Sequence, residues 1–321
     1  MPDNKSPRFV QTGLADADAQ RAAACAALTE PRASVAPKFF YDRLGSHLFE
    51  AITELPEYYP TRTEAAIFAA HGAGMARAIG AGIALVDLGA GNCAKAARLF
   101  RLLEPSRYVA VDISAEFLRD ALRQLQRDHP QLQIAGVGQD FSATLDIPAE
   151  LLGADRPVFF YPGSSIGNFT PEEALAFLGR VRERAGGGGL LIGVDLVKPR
   201  VVLEAAYDDS LGVTAAFNRN ALVNLNRLVG SDFAPRHWRH VAFFDEARSR
   251  IEMHLEACAD VEVSWPGGGR RFGAGERIHT ENSYKYTVDG FAELLVAAGF
   301  QAPRRWTDPQ EAFAVFWAPA G

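Results

Sequence analysis

The run Ile83-Ala84-Leu85-Val86-Asp87-Leu88 ends directly on Gly89-Ala90-Gly91, and this junction constrains the fold more than any other stretch of the chain. Six residues with a single acid among them cannot alternate between a wet face and a dry one. The segment therefore reads as a strand buried on both sides, and the glycines beyond it permit a sharp turn into a helix. The rhythm repeats. Tyr108–Val111, Leu132–Val137, Val158–Tyr161 and Leu190–Val194 read as further strands. Helical stretches separate them at Ala94–Leu103, Ala115–Arg127 and Pro171–Ala185, with Thr170 placed to cap the last. Glu64–Ala78 is helical upstream; downstream, a helix over Thr287–Ala298 stops at Gly299 and Phe313–Trp317 is a last strand. Strands alternating with helices imply a parallel, doubly wound α/β sheet.

Between Val197 and Tyr286 the rhythm is interrupted. Leu203–Leu228 is a long helical or helix-turn-helix stretch rich in Ala, Asn and Arg, and strand-like runs follow at Val241–Phe244, Arg250–Ala257 and Val261–Trp265, with Gly267-Gly268-Gly269 as a turn. Before the first strand, Met1–Pro37 reads as a surface lead-in with a helix near Asp16–Leu28. Leu44, Leu48, Ile52 and Leu55 then follow the spacing of a helix with one buried face. At about 150 residues per domain, 321 residues accommodate two. We expect residues 63–198 and 287–321 to form the sheet domain, and 1–62 with 199–286 to form a smaller α+β cap that binds substrate.

Composition narrows the function. With 33 Lys+Arg against 39 Asp+Glu the formal charge is −6, which argues against a nucleic-acid binder that must neutralise phosphates. No apolar run approaches the roughly 18 residues of a membrane span, and the first twenty residues carry charges where a secretory signal needs an apolar stretch. A cytoplasmic protein is expected. Cys25, Cys93 and Cys258 lie far apart, and the seven histidines show no ligand spacing, so no metal is expected.

Asp87, Gly89 and Gly91 occupy the end of the first strand, where open α/β sheets bind ligands. Asp112 ends the next strand, 112 − 91 = 21 residues past the last glycine, where a carboxylate meets ribose hydroxyls. Asp140-Phe141 follows the third strand, an acid for an adenine amine and a ring to stack on the base. Gly89-x-Gly91-x-x-Ala94 also satisfies a dinucleotide fingerprint, which keeps an NAD-dependent oxidoreductase open. Asp87 before the glycines, taken with Asp112 and Asp140-Phe141, instead resembles the S-adenosylmethionine site of class I methyltransferases, and Lys95 in the following helix joins that set.

Longer strings carry a more specific resemblance. Pro37-Lys38-Phe39-Phe40-Tyr41-Asp42, Leu55-Pro56-Glu57-Tyr58-Tyr59-Pro60-Thr61-Arg62, Gly163-Ser164-Ser165-Ile166-Gly167-Asn168-Phe169-Thr170-Pro171, Ala206-Tyr207-Asp208-Asp209, Arg250-Ile251-Glu252-Met253 and Thr280-Glu281-Asn282-Ser283 all resemble the L-histidine Nα-methyltransferases of ergothioneine biosynthesis. The resemblance runs from about Pro37 to Trp317. It implies a class I methyltransferase, Rossmann-like sheet with a second substrate-binding domain, and three successive methyl transfers from S-adenosylmethionine to the α-amine of L-histidine, giving hercynine. It further implies that Asn168 and Tyr207 hold the amino and carboxylate end, as the positioning residues of catalysis. Tyr58, Glu281 and Ser283 then face the imidazole, while Phe49 and Met253 supply apolar walls. The residue types suit that task, because an imidazole N–H needs an acceptor such as Glu281, and a neutral amine needs alignment rather than a strong base. Another aromatic substrate such as tryptophan stays open. Thr214 and Asn218, in the Asn-rich helix, read as residues that cap and pair locally. A monomer acting on a small molecule is expected.

Overall fold

The computed structural model describes residues 6–12, 17–142 and 144–321. Its strands, in chain order, are β1 (Arg8–Gln11), β2 (Ile83–Leu88), β3 (Arg107–Asp112), β4 (Gln133–Gly138), β5 (Arg156–Tyr161), β6 (Gly189–Asp195), β7 (Trp238–Asp245), β8 (Arg250–Ala257), β9 (Val261–Trp265), β10 (Gly268–Phe272), β11 (Arg277–Tyr284), β12 (Arg304–Thr307) and β13 (Phe313–Pro319). The chain divides into two compact units, one of residues 1–13, 60–197 and 285–321, the other of residues 14–59 and 198–284.

In the first unit eight strands form one sheet in the order β1-β4-β3-β2-β5-β6-β13-β12. The central strands run parallel, and the order reverses between β3-β2 and β5, which opens the crevice where such sheets bind ligands. The expected parallel, doubly wound strands are joined at one side by β13, which pairs antiparallel with both β6 and β12. Apolar residues cover both faces. Val86, Val109, Phe159, Phe177 and Phe316 belong to one cluster, and Ile67, Leu85, Tyr108, Phe160 and Val315 to the other, as the unbroken apolar run of β2 requires.

Two expectations fail here. Residues Arg8–Gln11 do not join the second unit. They pair in parallel with β4, Phe9 opposite Gly136 and Gln11 opposite Gly138. The helix expected over Ala94–Leu103 is broken into Ala94–Ala97 and Phe100–Leu103. The helix Pro171–Arg184, in contrast, starts as its sequence suggests. Thr170 accepts from Glu173 N at 3.3 Å while the Glu173 carboxylate accepts from Thr170 N at 2.9 Å, a reciprocal capping box.

The second unit is built on a three-stranded antiparallel sheet, β11-β8-β7. The helix Val213–Val229 packs on its inner face, burying Phe217, Leu222 and Leu225 with Ile251, Met253 and Leu255. β9 and β10 form a hairpin, so Gly268 and Gly269 belong to a strand rather than to the turn expected of them. The helix from Ala17 to Thr29 matches the first expected helix, whose Asp16 lies outside the described residues. Helix Arg43–Thr53 forms as the leucine spacing suggests, but its buried side is Gly45, Ser46 and Ile52. Leu44 is 52% exposed. The reason is a close backbone approach: a Cβ on Gly45 would lie 1.6 Å from the Phe40 carbonyl oxygen, so the glycine side must face inward. No described helix is long and apolar enough to cross a membrane.

Candidate active site

At the carboxyl ends of β2, β3 and β4 the first unit brings Gly89, Gly91, Asp112 and Phe141 together. Gly89 and Gly91 take φ values of +70° and +52°, a conformation that favours glycine. The turn is pinned to the neighbouring strand, since Gly89 N and Ala90 N donate to Val111 O at 2.8 and 3.1 Å. Asp112 fixes its far side, accepting from Gly91 N at 2.9 Å through one oxygen and from Ser114 N at 2.8 Å through the other. Burial pushes the Asp112 carboxyl upward while these backbone donors pull it down, with a net rise. The Phe141 ring stands over the turn: a Cβ on Gly89 would lie 3.6 Å from its Cζ, and Tyr161 and Phe177 hold the ring at centroid distances of 5.8 and 6.1 Å. A left-handed glycine turn with open space above Gly91, an acid at the next strand end and a propped aromatic ring fit an adenosine. Asp140 is half-buried and accepts from Ser142 N at 3.2 Å.

Asp87 lies beneath this turn. It is 2% exposed and accepts from the Tyr108 hydroxyl at 2.7 Å, and burial pushes its pKa up to about 7. Lys95 ion-pairs with Glu64 at 2.9 Å, a partner that our sequence analysis missed. The available signal was an acid on the apolar stripe Pro60, Glu64, Ile67 of the helix Tyr59–Ile79. Beyond β5, Gly163 and Ser164 both have positive φ, and the Ser164 hydroxyl accepts from Asp195 N at 2.8 Å. This anchors the short turn Ser165–Asn168, which presents Asn168 half-buried.

In the second unit the remaining candidates gather on one side of the β11-β8-β7 sheet. Glu281 is opposite Met253 and Ser283 opposite Ile251. A β-bulge between His279 and Glu281 makes this possible, because Thr280 is the extra residue. Ile278 and Thr280 point inward, and without the bulge Glu281 would point outward. With it, Glu281 (7% exposed) and Ser283 (3%) face the core side as well, and the Thr280 hydroxyl donates to Met253 O at 3.0 Å. The Tyr207 hydroxyl lies 2.6 Å from Ser283 Oγ. Tyr58 stands edge-on to Tyr207 at 6.5 Å and to Phe49 at 6.2 Å. Aromatic walls, two hydroxyls and a buried acid thus share one surface.

His240, unforeseen, holds Tyr207 from behind. Its Nε2 is 2.8 Å from the Tyr207 carbonyl oxygen, so this nitrogen carries the proton, and its Nδ1 accepts from the Asn218 amide at 2.8 Å. Burial holds the imidazole below its usual pKa, neutral as this arrangement requires. Asn218 therefore braces another element instead of pairing within its own helix.

The model of a family described as histidine-specific, S-adenosylmethionine-dependent methyltransferases matches residues 20–320. The chain belongs to that family. It is 38% identical over 307 residues to the histidine N-alpha-methyltransferase of Mycolicibacterium smegmatis, covering 91% of this chain and 92% of that protein. To the histidine N-alpha-methyltransferase of Mycobacterium tuberculosis it is 41% identical over 285 residues, or 86% and 87% of the two chains. The ergothioneine biosynthesis protein 1 of Neurospora crassa is 31% identical over 280 residues, covering 83% of this chain and 31% of that larger protein. The protein is accordingly an S-adenosylmethionine-dependent methyltransferase. The dinucleotide reading of Gly89-x-Gly91-x-x-Ala94 falls.

Proposed function

We propose that this methyltransferase converts L-histidine to Nα,Nα,Nα-trimethyl-L-histidine, hercynine, by three successive methylations of the α-amine, as a step toward ergothioneine. The observation that carries the choice of substrate is the bulge in β11, which turns Glu281 and Ser283 to the same side as Tyr58, Tyr207, Phe49 and Met253. An imidazole asks for such a surface, with ring walls, an anionic acceptor for one N–H and a hydroxyl for the second nitrogen.

In this reading Gly89, Gly91, Asp112, Asp140 and Phe141 hold the adenosine of the methyl donor, with Lys95 beside them and Asp87 supporting the turn. The donor supplies a methyl group on a sulfonium, whose displacement neutralises the sulfur. Asn168 and Tyr207 hold the substrate's amino and carboxylate end and aim the amine lone pair in line with that methyl. Alignment of this kind removes much of the entropic part of the barrier. Each transfer after a proton has left the nitrogen gives a product with one more N–C bond, and the third leaves a quaternary nitrogen with no lone pair, so the sequence stops. The test is incubation of the purified protein with S-adenosylmethionine and each of the twenty amino acids in turn. Mass shifts of one, two and three methyl groups on histidine are expected, and methylation of a different amino acid in preference to histidine would overturn the reading.

A further inference from the structure

Glu64 is the deepest acid of the first unit outside the strand ends, 1% exposed, and both of its oxygens are committed. Oε1 accepts from Gly163 N at 2.8 Å, and Oε2 accepts from Lys95 Nζ at 2.9 Å. The surroundings are shaped around this carboxylate. A Cβ on Gly193 would come within 2.1 Å of Oε1, and one on Gly163 within 2.9 Å of the Lys95 ammonium. Three segments therefore meet at one side chain: the helix Tyr59–Ile79, the residues that follow the Gly89–Gly91 turn, and the loop that leads from Gly163 to Asn168.

Burying the Glu64 end of this pair costs the carboxylate its hydration while Lys95 stays partly exposed, and well-packed apolar residues of the same volume commonly do as well for stability. A buried pair is best attested as a device that sets register. We propose that Glu64 is a positioning residue that locks Lys95 and the Gly163–Asn168 loop into one arrangement, so that binding of the methyl donor and of histidine both depend on it. The inference rests on the function proposed above, which gives Lys95 to the donor and Asn168 to the substrate. It adds a residue that touches neither and acts through both. Its two bonds also separate the two effects: the Lys95 bond serves the donor side and the Gly163 bond the substrate side.

Substitutions can break those bonds one at a time. In Glu64→Gln the amide oxygen still accepts the Gly163 N–H, but its NH2 faces the ammonium with no acceptor to offer. Calorimetry with S-adenosylhomocysteine should show affinity lowered about tenfold in Glu64→Gln and in Lys95→Met. The double variant should be no weaker than the weaker single variant, since the two remove one interaction. Histidine KM should stay within about twofold of wild type in Glu64→Gln and rise about tenfold in Glu64→Ala, which also loses the Gly163 bond. Because Glu64→Ala risks misfolding, the isosteric Glu64→Gln, which keeps the Gly163 bond, carries the donor arm, and Lys95→Met serves as its reference. A melting temperature that falls in the variants while affinity and KM stay at wild-type values, or losses that multiply in the double variant, would overturn the proposal and leave Glu64 a purely structural residue. Wild-type protein that neither binds S-adenosylhomocysteine nor methylates histidine would overturn the underlying function with it.

Discussion

Two buried carboxylates, Asp87 and Glu281, show how differently one functional group is used here. Glu281 reads the substrate in our proposal, so Glu281→Ala should leave an imidazole N–H without its acceptor at a cost of about 1–3 kcal/mol, or roughly five- to more than a hundredfold in kcat/KM for histidine. Tryptophan should suffer less, and less again with Met253→Val opening the opposite wall, while donor affinity stays unchanged. Measuring kcat/KM for both amino acids checks this, and equal losses would make Glu281 a support of the fold. Asp87 is held up to a pKa of about 7 by burial, far above the ordinary carboxylate value near 3.9. Its folded pKa exceeds its unfolded one, so the stability it lends is complete below about pH 4 and is lost as pH rises through about 7. Asp87→Asn cannot ionise. Urea midpoints of the variant should therefore gain on wild type as pH rises from 4 to 7.5, and parallel profiles would show that Asp87 is not the titrating group.

At the scale of elements, the bulge in β11 does more than its length suggests, because it sets the facing of two site residues at once. Thr280 is fully buried and its hydroxyl satisfies Met253 O. Thr280→Val keeps the shape but strands that carbonyl, which should cost about 1–3 kcal/mol of stability and raise histidine KM with donor affinity intact; Thr280→Ser should behave nearly as wild type. Unchanged KM in the valine variant would mean that the bulge survives without its hydroxyl. β11 is also where the sequence was least legible. Arg277-Ile278-His279-Thr280-Glu281-Asn282-Ser283-Tyr284 is mostly polar, and the extra residue breaks the period-two alternation by which a half-buried strand is recognised. By contrast β2 follows its apolar run, β8 and β9 follow their alternation of apolar and polar residues, and Thr170 caps the helix it was expected to cap. The break between Ala97 and Phe100 left no such mark, since Ala94–Leu103 consists of Ala, Lys, Arg, Leu and Phe, with no glycine or proline at the break. Glycine turns and acids at strand ends were legible for a different reason: their chemistry is local. Glu64 and His240 were not, because each matters through a partner 31 or 33 residues away in the chain.

At the scale of the whole molecule, the chain enters and leaves each unit more than once, so neither unit is a continuous piece of sequence. β12 and β13 complete the eight-stranded sheet only after the second unit's chain has been made, and β1 closes the opposite edge from the start of the chain. Gly136 and Gly138 of β4 lie against Phe9 and Gln11, with the Gln11 amide donating to Gly138 O at 2.9 Å. Removing residues 1–12 should uncover the backbone of β4, a flat, glycine-rich edge open to another chain. Light scattering should then show time-dependent association that the full chain lacks, and a persistently monodisperse truncated protein would refute the role of β1 as a guard. The same pairing carries a timing burden on the ribosome. Arg8 is synthesised 135 − 8 = 127 residues before its partner Ala135, and at about 5–20 residues per second this is a wait of roughly 6–25 s. Strand β1 thus has to wait for β4 before it can pair, and for that interval Phe9 and Val10 travel as a sticky segment that the nascent chain has to keep apart from its neighbours.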